Sequence, residues 1–211
     1  MTGILISICA MGTLLTLAAD HYQRKHWEWL GKPMAALSFI FAGLHFGALD
    51  SHYGQWILGG LILGAVGDVL LIPPGTGKAF LGGMLAFALG HGLYVVGFAQ
   101  WPLNLEVMLA ATLGMALFAA GVLRWLMPHV GPDFRLPVVV YLLIISAMVV
   151  VAVAAVWAGA NPLILLGALA FALSDISVAR HNFVRATPIN RLWGLPLYFA
   201  SQFIIAASVQ P

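Results

Sequence analysis

Long apolar runs, broken at short intervals by polar and turn-forming residues, set the pattern of this chain. The runs predict helices over 2–19, 33–49, 56–72, 79–99, 103–126, 135–158, 161–180 and 191–209. The breaks carry residues that helices avoid: Gly31-Lys32-Pro33, Pro73-Pro74-Gly75, Trp101-Pro102, Gly131-Pro132 and Asn161-Pro162. Each run is close to the roughly 20 residues that cross a hydrocarbon layer. Within lipid a segment must satisfy its own backbone hydrogen bonds, which a helix does. A β-barrel needs alternating segments of about ten residues, and these runs are continuously apolar. The expected fold is all-α, a polytopic membrane bundle of about eight transmembrane helices. The spans use nearly the whole length, so residues 1–211 are expected to form a single integral membrane domain. The first run lacks a basic leader and is followed by further spans, so it reads as a retained helix rather than a cleaved signal peptide.

Composition agrees with lipid as the solvent. Hydrophobic residues make up 62% of the chain and charged residues 8%, against about a quarter charged in soluble domains. The net charge of +2 and the lack of a basic run with interleaved aromatics give no sign of a nucleic-acid partner. Cys9 is the single cysteine and has no internal disulfide partner. The basic residues separate by loop. Arg24, Lys25 and Lys32 fall in the first, Lys78 in the third, Arg124 and Arg135 in the fifth, and Arg180, Arg185 and Arg191 in the seventh. These are all nine Lys and Arg residues. The positive-inside rule then places the odd loops in the cytoplasm and both termini on the non-cytoplasmic side. The expected location is a bacterial inner (cytoplasmic) membrane. Trp29, Trp56, Trp101, Trp125, Trp157 and Trp193 gather near the helix ends, as interfacial anchors do.

Candidate chemistry lies in the few polar residues inside the spans. Asp20, Glu28, Asp50, Glu106 and Asp133 fall in loops or at helix ends, but Asp68 and Asp175 lie within apolar runs. A charge there costs about 2.5–3.5 kcal/mol even on the lenient insertion scale, so such residues face a cavity or a partner. The plain alternative is a protonated acid that hydrogen-bonds two helices together. On the fourth helix Phe80, Gly83, Phe87, His91 and Tyr94 follow helical spacing and share one face. His91 is expected near mid-membrane, where it needs a partner. Tyr141, Tyr198 and Gln202 reach depths similar to the aspartates, and Ser174 adjoins Asp175. Together they suggest a polar chamber in the cytoplasmic half of the bundle. A zinc hydrolase wants three converging ligands, and His91 is the one deep histidine, so no metal is expected. There is no G-x-S-x-G elbow, phosphate-binding glycine motif or C-x-x-C.

These residues, taken in order, resemble the YhhN/lysoplasmalogenase family. The resemblance is carried by Lys32-Pro33, Gly67-Asp68-Val69-Leu70-Leu71, Phe80-x-x-Gly83, Phe87-x-x-x-His91-x-x-Tyr94, Tyr141, Gly167-Ala168-x-x-Phe171-x-x-Ser174-Asp175 and Tyr198-x-x-x-Gln202. It covers residues 32 to about 206. The chain departs from the family pattern at Gly64-Ala65-Val66, where a serine often precedes the Gly-Asp, at Ser201, where alanine is usual, and at Arg180-His181-Asn182. The resemblance implies an eight-helix membrane enzyme without a cofactor. Its substrate would be a lysophospholipid drawn from the bilayer. It would hydrolyse the vinyl ether bond of lysoplasmalogens to a fatty aldehyde and a glycerophospho-base. Asp68 and Asp175 would be the acid and base, in either order. His91, Tyr94, Tyr141, Ser174, Tyr198 and Gln202 would position the reactants, and Lys32, at the cytoplasmic rim, would meet the phosphate. A proton-coupled transporter or a non-catalytic lipid-binding protein is the rival expectation, since intramembrane Asp and His also serve proton relays.

Overall fold

The computed structural model describes residues 1–210. It contains eight α-helices: α1 (Thr2–His21), α2 (Glu28–His45), α3 (His52–Leu70), α4 (Lys78–Phe98), α5 (Leu105–Leu126), α6 (Pro132–Trp157), α7 (Leu163–Ala179) and α8 (Pro188–Ala207). A short 3-10 turn at Lys25–Trp27 precedes α2, another at Met127–His129 follows α5, and a π-turn at Arg180–Val184 follows α7. Short connections make successive helices antiparallel. Six helices close a ring in the order α2, α3, α4, α6, α7, α8 and back to α2. The other two stand outside it. α1 leans on α2 and α8, while the main helix partner of α5 is α6.

Local chemistry sets several helix starts. The Ser51 hydroxyl accepts from the Gly54 N–H at 3.0 Å to cap α3. The Asn104 side chain accepts from Val107 N–H at 3.0 Å to cap α5. Pro132 and Pro188 open α6 and α8, where a missing N–H costs nothing. The outer surface is apolar, with Leu117 on α5 77% exposed, as a lipid-facing wall requires. Inside, close helix approach depends on small residues. A Cβ added to Gly12 would sit 2.6 Å from the Gly31 carbonyl oxygen, so α1 and α2 touch backbone to backbone there.

One expectation changes and another is met in part. The second helix starts at Glu28 rather than at 33, so Gly31-Lys32-Pro33 is no break. The 3-10 turn at Lys25–Trp27 leads straight into the helix. Pro33 forfeits one hydrogen bond near the start, which the helix tolerates. Six helices, not all eight, are long and apolar enough to cross a membrane by length and composition. α2 and α8 fall short because they turn polar groups inward: Glu28, Lys32 and Ser38 on α2, and Asn190, Ser201 and Gln202 on α8, all buried.

The nine basic residues lie at or near one end of the bundle, the end formed by the α1–α2, α3–α4, α5–α6 and α7–α8 connections. Arg191 ties three helices together there. Its guanidinium donates to Asp20 at 3.1 Å and to Glu28 at 2.9 Å. Phe80, Phe134 and Phe183 pack ring on ring at the same end, joining α4, α6 and the π-turn.

Candidate functional site

A cavity of about 370 Å³ enters the bundle from the basic end. Six of the nine residues singled out from the sequence line it: Lys32, Asp68, Tyr141, Ser174, Asp175 and Tyr198. His91, Tyr94 and Gln202 stand behind its wall and are almost fully buried. Asp20, Glu28, Arg191 and His181 border it near the mouth. Asp68 lies closer to its helix end than the apolar run suggests, whereas helix continues past Asp175 through α7 into the π-turn. Asp68 is two residues before the end of α3, and Asp175 four before the end of α7.

Asp68 is 3% exposed and is the last member of a hydrogen-bonded chain. The Tyr94 hydroxyl donates to Gln202 Oε1 at 2.6 Å. Gln202 Nε2 donates to the Tyr198 hydroxyl oxygen at 3.2 Å, and Tyr198 donates to Asp68 Oδ2 at 2.7 Å. The chain runs across α4, α8 and α3. It fits because α3 carries Gly60, Gly64 and Gly67 on one face. The Tyr94 ring lies over Gly60, the Gln202 amide over Gly64 and the Phe87 ring over Gly67. A Cβ at Gly67 would come within 2.6 Å of Phe87, and the contacts at Gly60 and Gly64 are tighter. The spacing of four and three makes this stripe legible in the sequence, although it is not among the residues singled out there.

Asp175 is partly buried and accepts one hydrogen bond from a side chain, from the Tyr141 hydroxyl at 2.7 Å. Behind Tyr141 stands His91. Its ring meets Phe171 edge to face at 4.5 Å and Tyr141 at 5.4 Å. Neither ring nitrogen has a hydrogen-bond partner among the described residues, so the partner expected of a deep histidine is aromatic, not polar. The Ser174 hydroxyl donates to the Phe171 carbonyl of its own helix at 2.7 Å and to neither aspartate. Phe171 separates the two halves of the site, with its ring against His91 on one side and against Tyr198, at 5.2 Å, on the other. The inward stripe on α4 is as expected: Phe80, Gly83, Phe87, His91 and Tyr94 are all buried.

Lys32 differs most from its expected place. It lies inside α2, is 6% exposed and faces the cavity rather than the rim. It forms no ion pair among the described residues, whereas Arg191 holds two carboxylates. A buried ammonium is expensive without an anion, so this one is aimed at the cavity or its contents. The arrangement thus offers two carboxyl groups, each accepting a tyrosine O–H, and one uncommitted cation. No group of three or more His, Cys, Asp or Glu converges among the described residues.

The sequence profile of the YhhN family matches residues 27–209. A pig protein (Sus scrofa) named lysoplasmalogenase TMEM86B is 32% identical over 205 residues, which is 95% of this chain and 82% of the pig protein. Its human counterpart is 37% identical, over 74% of this chain and 64% of the human protein. A protein of Mycobacterium tuberculosis (strain CDC 1551 / Oshkosh) named lysoplasmalogenase is 34% identical, over 72% of this chain and 59% of its own length. The matched regions of these last two therefore cover less than two thirds of the relative. No solved structure matches the chain.

Proposed function

The chain belongs to the YhhN family, and on that premise we propose that it is a hydrolase of the vinyl ether bond of lysoplasmalogens. The observation that carries the reading is the pair Asp68 and Asp175, each accepting a tyrosine hydroxyl on the wall of one cavity. Hydrolysis of a vinyl ether begins with a proton added to the β-carbon, which leaves an oxocarbenium ion. Water adds to that ion and loses a proton, and the hemiacetal collapses to an aldehyde and an alcohol. Two carboxyl groups in different protonation states supply the acid, the charge that steadies the cation and the base, as in glycoside hydrolysis.

Charge balance assigns the roles. Lys32 places a positive charge in the cavity, and in this reading one of the two aspartates is the ionised carboxylate that faces it. The second carboxyl then carries a proton. Asp68 is the carboxylate in this reading, since Tyr198 donates to it and is itself held by Gln202 and Tyr94. Asp175, open to the cavity, is the acid. The substrate phosphate stays toward the mouth, on the side of Lys32. The same reading makes residues 1–211 one membrane domain with all eight helices crossing. The basic end faces the cytoplasm and both termini lie on the other side.

Purified protein supplied with lysoplasmenyl-ethanolamine should release fatty aldehyde, and Asp68→Asn and Asp175→Asn should each abolish the release. Full activity in both folded variants would overturn the mechanism. Substrate flux into sealed vesicles without product would replace hydrolysis with transport.

A further inference from the structure

The cavity holds more than the aspartates. Its wall also carries an apolar patch made by Met115, Phe118 and Val122 of α5, Ile145 of α6, and Ala172 and Ile176 of α7. α5 is fastened at its two ends. At the basic end Leu126 packs with Val130, Val138 and Phe183. At the other, the Asn104 N–H donates to the Ala154 carbonyl at 3.1 Å. Between these fastenings α5 rests on α6, and it has no substantial contact with α7. Residues of both helices line the cavity, although the two helices are not packed closely on one another. Met115, Phe118, Val122 and Leu126 follow helical spacing on one face of α5. From Leu126 to Met115 the face runs about 16 Å at 1.5 Å per residue.

We propose that this patch is the slot that holds the single hydrocarbon chain of the substrate, entering sideways from the membrane, and that Met115, Phe118 and Val122 set the chain length accepted. The proposal rests on the lysophospholipid reading of the same cavity. One apolar patch shares the cavity with one charged mouth and the unpaired Lys32. That geometry fits an amphiphile with an anionic head and one chain. A two-chain lipid would leave its second chain with no apolar compartment.

The test is binding of a saturated alkyl lysophosphoethanolamine in short-chain and long-chain forms to the purified protein. A saturated ether has no vinyl group to protonate, so the readout does not depend on catalysis. Met115→Trp, at the end of the face away from the basic mouth, should weaken long-chain binding by about tenfold, the loss of roughly two buried methylene groups, and leave short-chain binding within about twofold. Phe118→Ala should shift preference toward the longer chain. Leu113→Trp and Leu117→Trp, on the lipid-facing side of α5, should change neither. If the Met115 tryptophan variant unfolds, the smaller change Met115→Phe with Phe118→Ala carries the test. Equal loss for both chain lengths, or no change in folded variants, overturns the slot. Chain-selective binding without aldehyde release from a vinyl ether substrate would keep the slot and remove the hydrolase reading. Release with no chain selectivity would do the reverse.

Discussion

The two aspartates share a cavity but not a setting. Asp68 is buried and sits at the end of a chain of three side chains drawn from two other helices. Asp175 is partly open, has one tyrosine, and that tyrosine is braced by the rings of His91 and Phe171 rather than by hydrogen bonds. A network fixes a charged group in one orientation, and its members depend on one another. Each carboxyl accepts from one tyrosine and lines the cavity, so the difference lies in exposure and in what holds that tyrosine. The first setting suits a group that keeps its charge through the reaction, and the second suits one that hands over a proton.

The largest test of this contrast is removal of the carboxyl groups. Asp175→Asn and Asp68→Asn should each lower aldehyde release by about a hundred- to ten-thousandfold, the range of general acid–base catalysis, with folding checked by thermal unfolding in detergent. Tyr198→Phe comes next. It removes the acceptor of Gln202 Nε2 and the donor to Asp68, while Gln202 Oε1 keeps Tyr94, at about 1–3 kcal/mol, or roughly ten- to a hundredfold in kcat. Gly64→Ala should act through packing, displacing Gln202 at a cost of about 1–3 kcal/mol in stability, measured by denaturation, and its kcat should fall with that of Tyr198→Phe. Tyr141→Phe should cost less than about tenfold, because water in the cavity can replace the lost O–H beside Asp175. Equal losses at Tyr198 and Tyr141 would erase the distinction between the two halves. Tyr94→Phe, at the far end of the chain, should be smallest, about 1 kcal/mol or roughly fivefold in kcat.

Some of this was legible without a fold. The α4 stripe from Phe80 to Tyr94 is inward because helical period is a local property. The separation of Lys and Arg by loop reappears as one basic end of the bundle. Lys32 was misplaced because Gly-Lys-Pro reads as punctuation, yet packing of α2 against α1, α3 and α8 carries the helix through it. The contacts of His91, which has no hydrogen-bond partner among the described residues, and of the Ser174 hydroxyl, which turns back on its own helix, were not legible from spacing.

The sequence by itself determined the helices, the lipid-facing composition, the charge asymmetry and which polar groups enter the apolar layer. All of these depend on residue type and short-range spacing. Only the folded arrangement shows which tyrosine meets which aspartate, that Gln202 joins Tyr94 to Tyr198, and that α5 packs on α6 rather than on α7. Tyr141 and Asp175 are 34 residues apart, and Tyr198 and Asp68 are 130 apart. Pairings at that range are set by how the ring of six helices closes. The closure depends on the α3 glycines, whose missing side chains give the relay the room it occupies.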